Sequence, residues 1–122
     1  MAERKPCVLV VDDDKAICGL YRDILMNQCK IILAHSARQA VEQARRHPVS
    51  LVISDGMLPD GTGPEVCARL MKEGRVSRVI VVTGHLEEAK RQVAELGITA
   101  KGIYGKPIGM AALREAVRKA LK

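Results

Sequence analysis

Three acidic residues, a threonine and a lysine come at or just after the ends of short apolar runs in the sequence. The acids are Asp12, Asp13 and Asp55, and the other two residues are Thr83 and Lys106. Carboxylates held close together need a cation or a proton to offset their repulsion, and a set of oxygen ligands favours Mg²⁺. A carboxylate beside Mg²⁺, with a hydroxyl and an ammonium group converging on it, can accept or bind a phosphoryl group. We take these five residues as a candidate site with Asp55 at its centre.

Five apolar runs of strand length position these residues. They are Cys7–Val11, Ile31–Ala34, Leu51–Ile53, Val79–Val82 and Gly102–Tyr104. Nearly continuous β-branched runs are typical of strands that helices cover on both faces of a parallel sheet. Helical patterns alternate with them over 15–28, 37–47, from Pro64 onward, 86–96 and 110–121. The alternation predicts an α/β fold, a doubly wound (βα)5 parallel sheet in one domain over 1–122, with ligands bound beyond the carboxyl ends of the strands.

Local patterns indicate how the helices begin and which faces they bury. Asp14 is a suitable N-cap for the first helix, and Ser36 with Gln39 has the spacing of a capping box at the second. Pro64 is predicted to be the first residue of the third helix. In the first helix, the 3.6-residue period places Leu20 on the apolar stripe that faces the core.

Composition excludes several classes of protein. The chain has 122 residues, 48% of them apolar, which is enough for one domain with a core. No apolar run approaches the roughly 20 residues needed to cross a bilayer, so we expect a cytoplasmic protein without a membrane partner. The four cysteines have no metal-site spacing and are expected to be reduced and buried. The net charge of +6 favours acidic partners, but nucleic acid is disfavoured because the only aromatic residues are two tyrosines.

Four motifs together resemble the signatures of bacterial two-component response-regulator receiver domains, of the chemotaxis-regulator type. The motifs are Val8–Asp14, Ser54–Gly63, Val82–Gly84 and Lys106–Pro107. Each is weak alone, but their order and their places at successive strand ends make the combination specific. The resemblance covers the whole chain and implies a flavodoxin-like sheet with the strand order 2-1-3-4-5.

The resemblance also implies a set of roles at the candidate site. Asp55 corresponds to the phosphoacceptor, Asp13 to a direct Mg²⁺ ligand and Asp12 to a ligand through water, while Met57 would add its backbone carbonyl. The implied reaction is transfer of a phosphoryl group from a phosphohistidine, on a sensor histidine kinase or a histidine phosphotransfer domain, to Asp55. Such a domain is a phosphoacceptor that resets itself, and we expect no turnover of a separate substrate.

Other residues would bind the transferred phosphoryl group or tune its lifetime. By resemblance, Thr83 would donate a hydrogen bond to one phosphoryl oxygen and Lys106 would form an ion pair with another. The bond between Lys106 and Pro107 is cis in the family. Met57 and His85 stand at the two positions that modulate later attack by water. His85 has an equally simple interpretation as a polar residue at a junction of loop and helix.

Two positions depart from the family pattern. Gly56 stands where a larger aliphatic residue is usual, which predicts a looser turn after Asp55. Ile103 occupies the position of the family's switch aromatic, and Tyr104 follows it, so both are candidates for the switch. Phosphorylation is expected to change the face built from the fourth helix, fifth strand and fifth helix, which would bind a downstream protein or a second copy of the chain.

Two rival functions use some of the same residues. Asp12 and Asp14 have the spacing of the two acids in a haloacid-dehalogenase-like phosphatase, but Ala16 stands where that family has threonine or valine, and no later acidic pair follows the fourth strand. A pseudo-receiver that binds partners without phosphorylation is the other alternative. The intact set of acids, threonine and lysine argues against it.

Overall fold

A five-stranded parallel sheet forms the centre of the fold. The structure is a computed structural model that describes residues 5–122. The sheet contains β1 (Cys7–Val11), β2 (Lys30–Ala34), β3 (Leu51–Asp55), β6 (Val79–Thr83) and β7 (Gly102–Gly105), in the order β2-β1-β3-β6-β7. A separate antiparallel hairpin of β4 (Met57–Leu58) and β5 (Gly61–Thr62) follows β3. Counted by sheet strands alone the order is 2-1-3-4-5, which confirms the predicted flavodoxin-like α/β fold.

Five helices connect these strands, as the sequence predicts. They are α1 (Lys15–Leu25), α2 (Ala37–Arg46), α3 (Gly63–Lys72), α4 (Leu86–Glu95) and α5 (Met110–Ala120). The first helix ends three residues earlier than its pattern predicted. Within residues 5–122, no helix is both long enough and apolar enough to span a bilayer. Residues 1–4 of the predicted domain lie outside the described residues.

The helices cover both faces of the sheet and so create two apolar layers. In β1, Leu9 and Val11 pack with residues of α2 and α3, whereas Val8 and Val10 pack with residues of α1 and α5. All five residues of β1 are buried, which explains their continuous apolar pattern. Each fully buried Leu or Val contributes about 1.5–3 kcal/mol of transfer free energy. The four cysteines are also buried and unpaired, as predicted.

The helices differ from the sequence predictions in three details, one in a buried face and two at helix ends. Leu20 is 53% exposed and not buried, because α1 presents Cys18, Tyr21, Ile24 and Leu25 to the core. Ser36 accepts a hydrogen bond from the Gln39 N–H, but the Gln39 side chain accepts from His35 instead of completing a capping box. Pro64 is the second residue of α3, since the helix begins at Gly63. Asp14 caps α1 as predicted.

Candidate functional site

The carboxyl ends of four neighbouring strands bring the candidate residues to one edge of the sheet. Asp12 follows β1, Asp55 ends β3, Thr83 ends β6 and Lys106 follows β7. These strands are parallel neighbours, so residues at their carboxyl ends meet at the same edge. Asp13 joins this group: one oxygen each of Asp12, Asp13 and Asp55 lie within 4.8 Å of one another.

Asp12 is the buried member of the acidic cluster, with 2% of its surface exposed. Its carboxylate accepts hydrogen bonds from the Asp14 N–H at 2.9 Å and from Lys106 Nζ at 2.9 Å. Burial nevertheless dominates and raises the pKa of Asp12 above its ordinary value. Its backbone carbonyl accepts from Cys18 Sγ at 3.2 Å and lies 3.0 Å from His35 Nδ1. The last two contacts, which fix the backbone of Asp12, have no pattern in the sequence that predicts them.

Lys106 links the acids to the neighbouring strand ends. Its Nζ lies 2.9 Å from Asp12 Oδ2 and 3.1 Å from Asp55 Oδ2. Burial lowers the pKa of Lys106, but the contacts with the two carboxylates outweigh burial, so the pKa lies above its ordinary value. The Lys106 N–H donates to the Thr83 carbonyl at 2.9 Å, and the bond between Lys106 and Pro107 is cis. The two residues expected to bind a phosphoryl group are therefore joined through their backbones.

The cluster of Asp12, Asp13 and Asp55 fits a divalent metal ion. All the side-chain donors are carboxylate oxygens, the ligands that Mg²⁺ prefers. Lys106 supplies only one positive charge against the three carboxylates of the cluster. Burial raises the pKa of Asp12, and the contacts of its carboxylate with the Asp14 N–H and Lys106 offset this only in part. An additional cation would relieve the repulsion that remains, and the exposed side chain of Asp13 leaves the cluster accessible from solvent.

Thr83 is buried at the end of β6 and packs against Gly56. Its Oγ1 accepts a hydrogen bond from the His85 N–H at 3.0 Å, and its side chain occupies the space where a Cβ of residue 56 would lie. Gly56 is itself buried. The prediction of a loose turn after Asp55 is therefore wrong. Gly56 is in close contact with Thr83, and this contact requires a residue without a side chain.

The loop between Asp55 and α3 is held close to the end of β3. The Gly63 N–H donates to the Gly56 carbonyl at 3.0 Å, and any Cβ on Gly63 would overlap the carbonyl oxygen of Asp55. Thr62 and Glu65 form a complete capping box at the start of α3. This box was not predicted, although Thr-x-x-Glu before an apolar helix is its usual pattern.

Asp60 ties the same loop to α2. Its carboxylate accepts hydrogen bonds from the Ala37 N–H at 2.7 Å and the Arg38 N–H at 3.0 Å, the first free amides of the helix. These bonds lower the pKa of Asp60 below its ordinary value. The contact joins residues 23 positions apart in sequence, so no local pattern could have predicted it.

Met57, His85 and Pro107 lie at the rim of the site. The Met57 side chain is 49% exposed, and its N–H lies 3.5 Å from Asp55 Oδ1. His85 is exposed at the start of α4, and its side chain makes no capping hydrogen bond there. Pro107 is exposed after the cis bond. Their proposed tuning roles remain predictions.

Ile103 and Tyr104 project from opposite faces of β7. Tyr104 pairs with Val82 and packs against the apolar layer that α1 and α5 form with the sheet. Its ring lies over Gly102, where a Cβ would overlap it. Ile103 pairs with Val81 and faces the other way, toward the side on which α4 packs. Position and orientation therefore separate the two candidates for the switch.

Comparison with known proteins identifies a family for most of the chain. A family model described as "Response regulator receiver domain" matches residues 8–118. The response regulator MprA of Mycobacterium ulcerans is 30% identical over 116 residues, which cover 94% of this chain and 50% of that protein. The chain thus spans about half the length of the curated relatives it matches.

Solved structures of receiver domains are also similar to this chain. The CheY-like response regulator receiver domain protein of Methanospirillum hungatei is 26% identical, with a TM-score of 0.86 over 96% of this chain and 94% of that one. The signal receiver domain of an HD domain-containing protein from Pseudomonas fluorescens is 28% identical, also with a TM-score of 0.86, over 97% and 95% of the two chains.

Proposed function

The chain belongs to the response-regulator receiver family, the phosphoacceptor domains of two-component signalling, and we propose that Asp55 is its phosphoacceptor. The observation that carries this assignment is the position of the Asp55 carboxylate. It lies among the acids Asp12 and Asp13, 3.1 Å from Lys106 Nζ, and its side chain is 13% exposed. It is therefore partly shielded from water, next to a cation and still open to a phosphodonor.

The proposed step is an in-line displacement at phosphorus. One carboxylate oxygen of Asp55 forms a bond to phosphorus while the bond between phosphorus and the imidazole nitrogen of a phosphohistidine breaks. The electron pair of that bond returns to the nitrogen, and the product on this chain is an acyl phosphate. Because the chain itself does little covalent chemistry, positioning and electrostatics carry the rate.

Thr83 and Lys106 are suited to hold the transferred group. The Thr83 oxygen accepts from the His85 N–H, which leaves the hydroxyl proton available to donate to a phosphoryl oxygen. The Lys106 ammonium already contacts Asp55 and would exchange that contact for an ion pair with another phosphoryl oxygen. Met57 and His85 stand at the rim, where they would modulate the attack of water that resets the switch.

Asp12, Asp13 and Asp55, with the backbone carbonyl of Met57, would hold Mg²⁺. When bound, Mg²⁺ neutralises negative charge on the phosphoryl oxygens. Asp13 is the exposed acid of the set and is the one we assign to direct contact, whereas the buried Asp12 is already engaged by Lys106 and would act through water.

We further propose that residues 1–122 form one receiver domain in the cytoplasm, phosphorylated by a histidine kinase or a histidine phosphotransfer domain. Receiver domains interact with histidine kinases as a family. The four unpaired buried cysteines agree with a reducing compartment. The domain would pass its signal through the face of α4, β7 and α5, and it would turn over no separate substrate. The phosphatase and pseudo-receiver alternatives are not favoured by the comparisons.

Labelling with a small phosphodonor tests the assignment. The protein is incubated with acetyl phosphate and Mg²⁺, and the mass of the intact chain is measured. We expect one phosphoryl group per chain in wild type, none in Asp55→Asn and normal labelling in Asp60→Asn, a matched change in the same loop. Labelling that persists in folded Asp55→Asn would refute the proposal, and steady hydrolysis of a phosphomonoester would favour the phosphatase.

A further inference from the structure

A basic cleft lies at the amino-terminal edge of the sheet, opposite the edge that carries Asp55. It has a volume of about 400 Å³ and lies between the carboxyl end of α2 and the turn that follows α3. It is lined by three arginines and a histidine: Arg45, Arg46, Arg75 and His47. The remaining lining residues are small or apolar, and none is acidic. Nothing in the phosphorylation chemistry uses this cleft.

Most of the positive charge in the cleft has no ion-pair partner among residues 5–122. Arg46 and Arg75 are exposed and form no ion pair with any of residues 5–122. Arg45 makes one contact, at 3.5 Å, with the carboxylate of Glu73. Glu73 in turn lies 3.1 Å from Arg69, so its single charge is shared between two arginines. An anion in the cleft would therefore contact guanidinium groups that are solvated but have little carboxylate charge beside them.

Helix ends explain only part of this charge. Arg45 and Arg46 lie in the last turn of α2, where basic residues offset the partial negative charge of the helix carboxyl end. Arg75 lies beyond α3, which ends at Lys72, and has no such role. Further basic residues begin or precede other strands at the same edge: Lys30, Arg78 and Lys101. The acids of the phosphorylation site lie at the opposite edge of the sheet.

Glu73 lies beside the cleft and contacts Arg45, one of the arginines that line it. One of its carboxylate oxygens contacts Arg45 and the other contacts Arg69, so this edge already binds a carboxylate between guanidinium groups. The planar fork of arginine matches the two oxygens of a carboxylate. Single-stranded nucleic acid would also need aromatic surfaces for its bases. Tyr21 is buried and Tyr104 packs against the core at the other side of the sheet, so neither supplies one.

We propose that the basic cleft binds an acidic segment of a partner protein, with carboxylates of the segment bound between Arg46 and Arg75. The cleft is remote from Asp55, so binding does not require phosphorylation. The domain would then contact an acidic partner at one edge while its opposite edge accepts the phosphoryl group. This inference does not depend on the phosphoacceptor assignment, because its test runs equally well in Asp55→Asn.

Fluorescence anisotropy with a labelled poly-glutamate peptide tests the proposal on the full chain. Poly-glutamine of the same length and single-stranded and duplex DNA of matched charge serve as competing probes. The variant Arg46→Gln with Arg75→Gln removes the unpaired charge of the cleft. Lys15→Gln with Arg22→Gln removes the same net charge from exposed positions of α1 and is the matched control.

We expect poly-glutamate to bind wild type with an affinity that falls as salt is added. Its affinity should fall by about fivefold to thirtyfold in the cleft variant, because two exposed ion pairs are lost. The control variant should stay within about twofold of wild type if net charge adds little. An equal loss in the control would show that only net charge matters. Tighter binding of either DNA than of poly-glutamate, with the same dependence on Arg46 and Arg75, would assign the cleft to nucleic acid. Equal binding of poly-glutamine, or none of poly-glutamate, would also overturn the proposal.

Discussion

Gly56 packs directly against the side chain of Thr83, and a Cβ atom added to Gly56 would lie 2.7 Å from the Cβ of Thr83. Two carbon atoms at that distance overlap, since their best separation is about 3.5 to 4.0 Å. The missing side chain at position 56 therefore leaves the space that Thr83 fills. Because the Thr83 hydroxyl is proposed to bind the phosphoryl group, Gly56 is expected to act as a positioning residue for it.

Gly56→Ala should displace Thr83 and slow phosphorylation of Asp55. Overpacking of this kind costs about 1–3 kcal/mol of the free energy of unfolding. If the displaced hydroxyl loses a hydrogen bond of about 1.4 kcal/mol in the transition state, the rate falls about tenfold. The rate is measured with acetyl phosphate and Mg²⁺, and stability by urea unfolding.

Gly84→Ala is the matched control, because a Cβ at Gly84 meets nothing within 4 Å and the residue directly follows Thr83. It should leave both the labelling rate and the stability near wild type. Equal rates in Gly56→Ala and Gly84→Ala would show that the contact does not position the hydroxyl.

The convergence of the site residues was predictable from the sequence for a simple physical reason. Continuous apolar runs specify buried parallel strands, and parallel neighbours bring their carboxyl ends to one edge. The places of Asp12, Asp55 and Thr83 follow from those two facts alone. Lys106 follows from the same reasoning, although the apolar pattern of β7 is weaker because that strand is short and only partly buried.

Other features depend on how distant segments approach each other. No pattern near Gly56 indicates that Thr83 lies against it, and nothing near Asp60 indicates that it caps α2. Leu20 fits an apolar helix pattern but lies outside the stripe that the sheet covers. The capping box of Thr62 and Glu65 differs, because its local pattern was present and overlooked.

Asp13→Ala should abolish Mg²⁺-dependent labelling more completely than Asp14→Ala. Asp13 contributes an oxygen to the acidic cluster, whereas Asp14 Oδ1 accepts from the Ala16 N–H at 2.9 Å and the Ile17 N–H at 3.2 Å. Loss of such an N-cap costs about 1 kcal/mol of stability and leaves the cluster intact. Labelling is measured over a Mg²⁺ titration, with stability followed by urea unfolding. Equal loss in two equally folded variants would mean that the metal-binding pair is misplaced by one residue.

The contribution of Asp60 to stability should depend on pH in a defined direction. Hydrogen bonds from the Ala37 and Arg38 amides lower the pKa of Asp60 in the folded chain. A group with a depressed folded pKa stabilises the fold above its unfolded pKa, about 3.9, and loses that contribution as the pH falls through the folded value. The stability difference between wild type and Asp60→Ala should therefore be constant near neutral pH and shrink in acid.

Urea unfolding of both proteins from neutral pH to strongly acidic pH checks this expectation. Asp23→Ala is the control, because Asp23 is exposed and accepts no hydrogen bond from a backbone amide among the described residues. A difference between wild type and Asp60→Ala that grows in acid would contradict the assigned bonds.

On phosphorylation, the face of α4, β7 and α5 should change conformation. We expect the change to come from the loop after Thr83 more than from a rotation of one side chain. Ile103, at the predicted switch position, faces the side of β7 on which α4 packs, but it has neither ring nor hydroxyl. Tyr104 has both, yet it lies on the opposite face of β7 with its ring over Gly102. Tyr104 could reach the side of α4 only if β7 exchanged the residues on its two faces.

Beryllofluoride with Mg²⁺, which imitates the acyl phosphate, should therefore change backbone chemical shifts in the loop 84–85 and in α4 in wild type. The same distant changes should persist in Tyr104→Ala, because that ring packs toward α1 and α5 and does not lie between Thr83 and α4. Ile103→Ala should reduce them, because the side chain that projects from β7 on the side of α4 is shortened. Changes confined to the acidic cluster in wild type would refute an output through α4, β7 and α5. Loss of the distant changes in Tyr104→Ala alone would identify Tyr104 as the switch, because only then would the face toward α5 carry the signal.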